Sequence, residues 1–217
     1  MSDIFQEVDE EVRREQLKKL WDRYSGYAIA AAILVVVGVA AWRGYSWWEA
    51  QKAAESGAAF EAASTLAESG KHAEAEAAFA KLAADGTSGY RHLARMREAA
   101  QLAQTDAKAA LAAYDKIAAD SSVGPVLQDL AALRAGALLI DAGSFDEARR
   151  RLEPLTGNDR AFRHTAREFL VLAAWRAGDA AAAKRWFDMI TTDLQTPAAT
   201  RSRVEMLMAL GGVASKS

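Results

Sequence analysis

The sequence predicts an all-α protein in which one membrane-spanning helix precedes a stack of short helix pairs. Three observations predict it. Between Tyr27 and Trp42 no side chain is charged or strongly polar. From about residue 50 onward, a glycine, a small residue and two large apolar residues return at a nearly constant spacing. Outside the apolar run, alanine is plentiful, prolines number only 3 and β-branched residues are few, which favours helix throughout.

Residues 1–23 read as a short amphipathic helix on the cytoplasmic side, capped by Asp3 with Gln6 in a capping-box position. Phe5, Val8 and Val12 form one apolar stripe, and Leu17, Leu20, Trp21 and Tyr24 a second. Residues 24–46 read as a transmembrane signal anchor. From Tyr24 to Trp42 a helix rising about 1.5 Å per residue is about 28 Å long, enough for a hydrocarbon core of about 30 Å. Trp21, Tyr24 and Tyr27 mark one border, and Trp42, Tyr45, Trp47 and Trp48 the other, because amphipathic rings concentrate at the headgroup level. Val39-Ala40-Ala41 is compatible with a cleavage site, but the acid-rich leader is unlike the short basic start of a signal peptide. Five cations precede the apolar run (Arg13, Arg14, Lys18, Lys19, Arg23), against Arg43 and Lys52 in the stretch after it. The positive-inside rule then leaves the N-terminus cytoplasmic and sends residues 47–217 across.

That remaining part repeats. GKHAEAEAAFAKL, GSFDEARRRLEPL and GDAAAAKRWFDMI each place alanine five residues after glycine, then large apolar residues in the same register. The sets are Gly70, Ala75, Phe79, Leu82; Gly143, Ala148, Leu152, Leu155; and Gly178, Ala183, Phe187, Ile190. A fourth copy, TDAKAALAAYDKI, keeps Ala110, Tyr114 and Ile117 with Thr105 in the glycine place. The alanines at 75, 110, 148 and 183 stand 35, 38 and 35 residues apart. Glycine ends the first helix of a pair in a tight or left-handed turn. Alanine permits the closest approach of the two helices, and the large residue fills the groove against the next pair. This is the tetratricopeptide-repeat pattern, of period about 34, although the consensus helix-A Trp and Tyr and the closing Pro are mostly lacking. First helices are expected over 55–68, 89–103, 127–142 and 162–177. The first of them is expected to run on from the membrane helix, since no breaker but Gly57 intervenes. Residues 201–210 are expected to cap the open end.

Recognisable chemistry is scarce. Cysteine is absent, and His72, His92 and His164 have no companion at metal-ligand spacing; His72 sits where a residue packs between helices. No phosphate-cradling glycine loop or nucleophile elbow occurs. Asp146 and Glu147 read as residues that favour a helix N-terminus. The net charge of −2 gives no drive toward nucleic acid, and neither a cofactor nor a small-molecule substrate is expected. Two basic clusters remain, Arg91, His92, Arg95 and Arg97, and Arg149 to Arg151 with Arg160, Arg163 and Arg167. Expected to lie exposed on the first helices, and so to line a concave groove, are Arg91, Arg95, Gln128, Arg134, Arg163 and Arg167. Such a groove favours an acidic or extended polypeptide.

The acidic leader, the anchor ending in AWRGYSWW, and the segments YRHLARMREAAQLA, LQDLAALRAGALLIDAGSFDEA and WRAGDAAAAKRWF together resemble the YfgM-like ancillary subunits of the bacterial Sec translocon. The resemblance implies a non-enzymatic protein of the bacterial inner membrane with a periplasmic tetratricopeptide-repeat domain. It also implies translocon subunits and a periplasmic folding factor as partners, and help to secreted and envelope proteins as the role. A scaffold or accessory subunit of another inner-membrane complex is the alternative expectation.

Overall fold

A computed structural model describes residues 3–141 and 144–210, and the side chains of 14, 18–27, 29–141 and 144–210. Gly143, the cap and stripe residues Asp3 to Leu17, and the last seven residues therefore have no described side-chain geometry. Every regular element among the described residues is helical. The chain divides into two units, Met1–Ala54 and Glu55–Ser217.

The first unit lies within helix α1 (Asp3–Glu68). Residues 29–45 are all exposed, and no part of the apolar window is covered by protein. The seven border aromatics Trp21, Tyr24, Tyr27, Trp42, Tyr45, Trp47 and Trp48 are exposed as well. Tyr24 and Tyr27 lie 6.5 Å apart between ring centroids, and Tyr45 and Trp48 6.2 Å. One apolar helix long enough to cross a membrane is thus present, with α1 unbroken from leader to first repeat.

The second unit begins with the last turns of α1 and continues, among the described residues, through eight α-helices. They are α2 (His72–Asp85), α3 (Ser88–Thr105), α4 (Ala107–Ala118), α5 (Pro125–Asp141), α6 (Phe145–Leu152), α7 (Arg163–Arg176), α8 (Ala180–Thr192) and α9 (Ala198–Leu210). From α2 to α9 each helix packs on the next, and α5 with α7 and α7 with α9 also meet. The end of α1 with α2, α3 with α4, α5 with α6, and α7 with α8 are the expected pairs. The closing helix α9 starts three residues earlier than expected, directly after Pro197, whose fixed φ suits a helix start.

The repeat register sets the core. Ala75, Ala110, Ala148 and Ala183 are each fully buried, and Leu82, Ile117, Leu155 and Ile190 are buried with them. Phe79, Tyr114 and Leu152 fill the grooves as expected. In the last pair the expectation needs correction: Phe187 is only half-buried, and its neighbour Trp186 takes the buried place. Gly70 and Gly178 turn with φ of 76° and 73°, the left-handed region that glycine adopts without Cβ strain. A 3-10 turn, Ser121–Val123, lies between α4 and α5, within the longer middle interval. Three core clusters follow one another along the unit, centred on Phe79, on Tyr114 with Ile117, and on Leu152, Leu170 and Trp186.

Candidate functional site

Arg91 and Arg134 are exposed as expected, and their side chains make no ion pair among the described residues. Arg134 has company that the sequence reading did not single out. Arg97, exposed on α3, and Arg134, on α5, both act electrostatically on the Tyr114 hydroxyl, although burial is stronger and pushes that phenol up. Both cations thus act on one buried phenol, Arg97 from α3 and Arg134 from α5.

The other candidates are engaged within the fold. The Arg95 guanidinium donates to Asp120 at 2.6 Å and is three-quarters covered. The Ser122 hydroxyl and Arg95 together hold the Asp120 carboxyl far below its usual range. Gln128 donates its amide to the Ala118 carbonyl at 3.0 Å, tying α5 to the end of α4. Arg167 is the clear correction: expected on the surface, it is 3% exposed. Its Nε and Nη2 donate to the Thr156 carbonyl at 3.2 and 2.8 Å, Nη2 also to Asn158 Oδ1 at 3.0 Å, and Nη1 to Asp193 Oδ2 at 2.7 Å. A buried guanidinium requires such a full set of acceptors, and here it clamps the segments after α6 and α8 onto α7.

Asp193 is the hub of that clamp. Its second oxygen accepts the Gln195 main-chain N–H at 2.9 Å, and its own carbonyl accepts from Arg201 at 3.2 Å. Arg163 Nε is 3.6 Å from Asp193 Oδ2, beyond hydrogen-bonding distance, and is buried without a partner; Arg163 Nη2 donates to Gln195 Oε1. His164 Nδ1 lies 3.3 Å from the Thr196 hydroxyl and 3.9 Å from Asp193. Burial, then the like charge of Arg163, holds this imidazole below its ordinary value. The Gln195 N–H first, and the Arg167 guanidinium after it, hold the Asp193 carboxyl low.

The second basic cluster is also largely paired. Arg151 makes a two-pronged contact with Asp115 at 2.9 and 2.7 Å, Arg160 meets Asp129 at 3.1 Å, and Arg149 meets Asp146 at 3.2 Å. The signal for these contacts was in the sequence: Asp115–Arg151, Asp141–Arg176 and Glu168–Arg203 join residues 36, 35 and 35 positions apart, one repeat spacing. Opposite charges one period apart face each other when repeats stack. His72 fills a packing role, its Nδ1 2.8 Å from Gln101 Oε1 on α3. Among the described residues no group of three or more His, Cys, Asp and Glu could hold a metal ion.

A family model for the tetratricopeptide repeat-like domain matches residues 18–208, taking in the apolar helix and all four helix pairs. Comparison with curated proteins and with solved structures returned no match. The match covers most of the chain and coincides with the buried alanine register, so the chain belongs to the tetratricopeptide repeat-like domain family, a class of protein–protein interaction modules.

Proposed function

We propose that the chain is a membrane-anchored adaptor, with residues 1–23 cytoplasmic, 24–46 spanning the bacterial inner membrane and 47–217 in the periplasm. Its partners on this reading are translocon subunits and a periplasmic folding factor, and its service is to the folding of secreted and envelope proteins. The observation that carries the reading is the pairing of a wholly exposed apolar helix with a repeat unit of the interaction-module family. An exposed run of this length is costly in water and stable in a bilayer. The excess of cations before it supports the orientation, and the resemblance of leader, anchor border and repeat segments supports the translocon. On the repeat unit, Arg91, Arg97 and Arg134 are exposed on first helices and make no ion pair among the described residues, which suits an acidic polypeptide. Purification of the intact protein from membranes in mild detergent tests the assignment. Co-purified translocon subunits are expected, whereas a respiratory or division complex without them overturns it in favour of another scaffold role.

A further inference from the structure

Where the N-terminus of α7 meets the segments that follow α6 and α8, an open groove of about 710 Å³ is lined by Arg163, Arg167, Met189, Asp193, Leu194 and Gln195, among others. We propose that this groove is a second contact point, separate from Arg97 and Arg134, that seats a carboxylate side chain of an acidic, partly apolar segment of a protein partner. The inference rests on the interaction-module reading and adds to it a place and a chemistry.

Charge is the first argument. Arg163 and Arg167 line the groove with one carboxylate between them, Asp193, at 3.6 and 2.7 Å, and Arg201 reaches only the Asp193 main-chain carbonyl. Neighbouring acids are spent elsewhere: Glu168 holds Arg203 at 2.6 Å and Asp129 holds Arg160 at 3.1 Å. Asp159, exposed on the loop beside Asn158, does not line the groove. The groove is therefore left with surplus positive charge in a partly desolvated place, where an incoming anion is attracted more strongly than at an open surface.

Arg163 supplies the second argument. Its Nε is buried without a hydrogen-bond partner, its Nη2 has only a neutral amide, and its approach to Asp193 stops at 3.6 Å. Because Nε is covered by protein, an incoming carboxylate would meet this guanidinium from its Nη side, where only a neutral amide is bound and an anion is the stronger acceptor. Arg167, by contrast, is locked by four hydrogen bonds to three residues and forms a fixed wall. A wall already ordered lowers the cost of binding.

The third argument is the rim. Leu194 is 93% exposed and stands in the same lining as Met189, so an apolar side chain next to the acid is accommodated. The volume lies within the about 300–1,000 Å³ that holds a ligand of several groups rather than one ion. Its openness to solvent and the family's interaction role favour a polypeptide.

The full-length protein in nanodiscs of neutral lipid, probed by fluorescence anisotropy, tests this. The probes are a labelled octapeptide alternating Glu and Leu, and its counterpart with Gln for every Glu. The Glu peptide is expected to bind at least fivefold more tightly. Arg163→Gln should remove most of that preference, Leu194→Ser should weaken both peptides, and Lys81→Gln, at an exposed cation on α2, should change neither. Gln195→Glu provides an independent variant that keeps Arg163: it offers the guanidinium an internal carboxylate and should reduce the preference similarly. Equal affinity for the two peptides, a preference that survives both Arg163→Gln and Gln195→Glu, or its loss in Lys81→Gln overturns the proposal. The peptide pair judges the groove and co-purification judges the adaptor reading, so either can fail alone.

Discussion

Gly136 sits in the middle of α5, where helix propensity alone says that alanine is better by about 1 kcal/mol. The packing says the reverse. A Cβ added there would lie 2.5 Å from both Cγ and Cδ2 of Leu152 and 3.1 Å from its Cδ1. Carbon atoms in contact prefer about 3.5–4.0 Å, so α5 and α6 would have to separate by roughly 1 Å. Leu152 cannot swing aside, because it is fully buried in the largest core cluster, and the clash involves its Cγ as well as a terminal methyl. Overpacking of this kind costs about 1–3 kcal/mol, occasionally more. Because two atoms clash at 2.5 Å, the cost falls in the upper part of that range, about 2–3 kcal/mol; against the propensity gain a net loss of about 1–2 kcal/mol is expected, or about 2–8 °C in melting temperature for a unit of this size. Gly89→Ala is the control, since nothing lies within 4 Å of its added Cβ; it should be neutral or stabilising by a few tenths of a kcal/mol. Thermal unfolding followed by tryptophan fluorescence reads both. If Gly136→Ala matches or exceeds wild type, the close approach of α5 and α6 is wrong.

Ala183→Leu should lower the melting temperature by a cost of about 1–3 kcal/mol, whereas Ala181→Leu, exposed two positions earlier, should leave it nearly unchanged; equal shifts would remove the repeat register. Arg167→Met should destabilise the repeat unit by about 3 kcal/mol, because it strands Asp193 and the Thr156 carbonyl. It follows that reversing charge at Arg167 disturbs folding and so cannot serve as a binding test; retention of wild-type stability in Arg167→Met would contradict the clamp. For His164 the folded-state pKa is depressed, so its contribution is fully present above about pH 6.5 and declines as pH falls through the folded value. A pH series of melting temperatures should show that decline in wild type and a flatter limb in His164→Gln; identical limbs would exclude His164 as its source.

The architecture was legible because its determinants are local and periodic. An alanine that must fit a helix crossing recurs at the repeat spacing, and Gly70 and Gly178 mark turns that only a residue without Cβ enters freely. Where two neighbours can do the same work, periodicity does not choose: Trp186 and Phe187 are both aromatic, and helix rotation seats the first. The candidate site was far less legible. An arginine reads as exposed by default, and Arg167 is buried only because Thr156, Asn158 and Asp193 converge on it from outside its own helix. Nothing in α5 itself marks the close approach at Gly136, since the Leu152 side chain that forbids a Cβ belongs to the neighbouring helix. Arg97 and Arg134 come within electrostatic reach of Tyr114 only when α3 and α5 each pack on α4.

The central claim is that the repeat unit, on the far side of a membrane from the N-terminus, contacts other proteins. Photo-crosslinking in intact membranes tests it most directly, with a crosslinking residue placed in turn at Arg91, at Arg134 and at Trp42. Discrete protein adducts from Arg91 and Arg134, protected from protease until the outer face of the inner membrane is opened, are the predicted result. Adducts from Trp42 alone, with none from the repeat unit, would make the membrane helix the binding element and contradict the account.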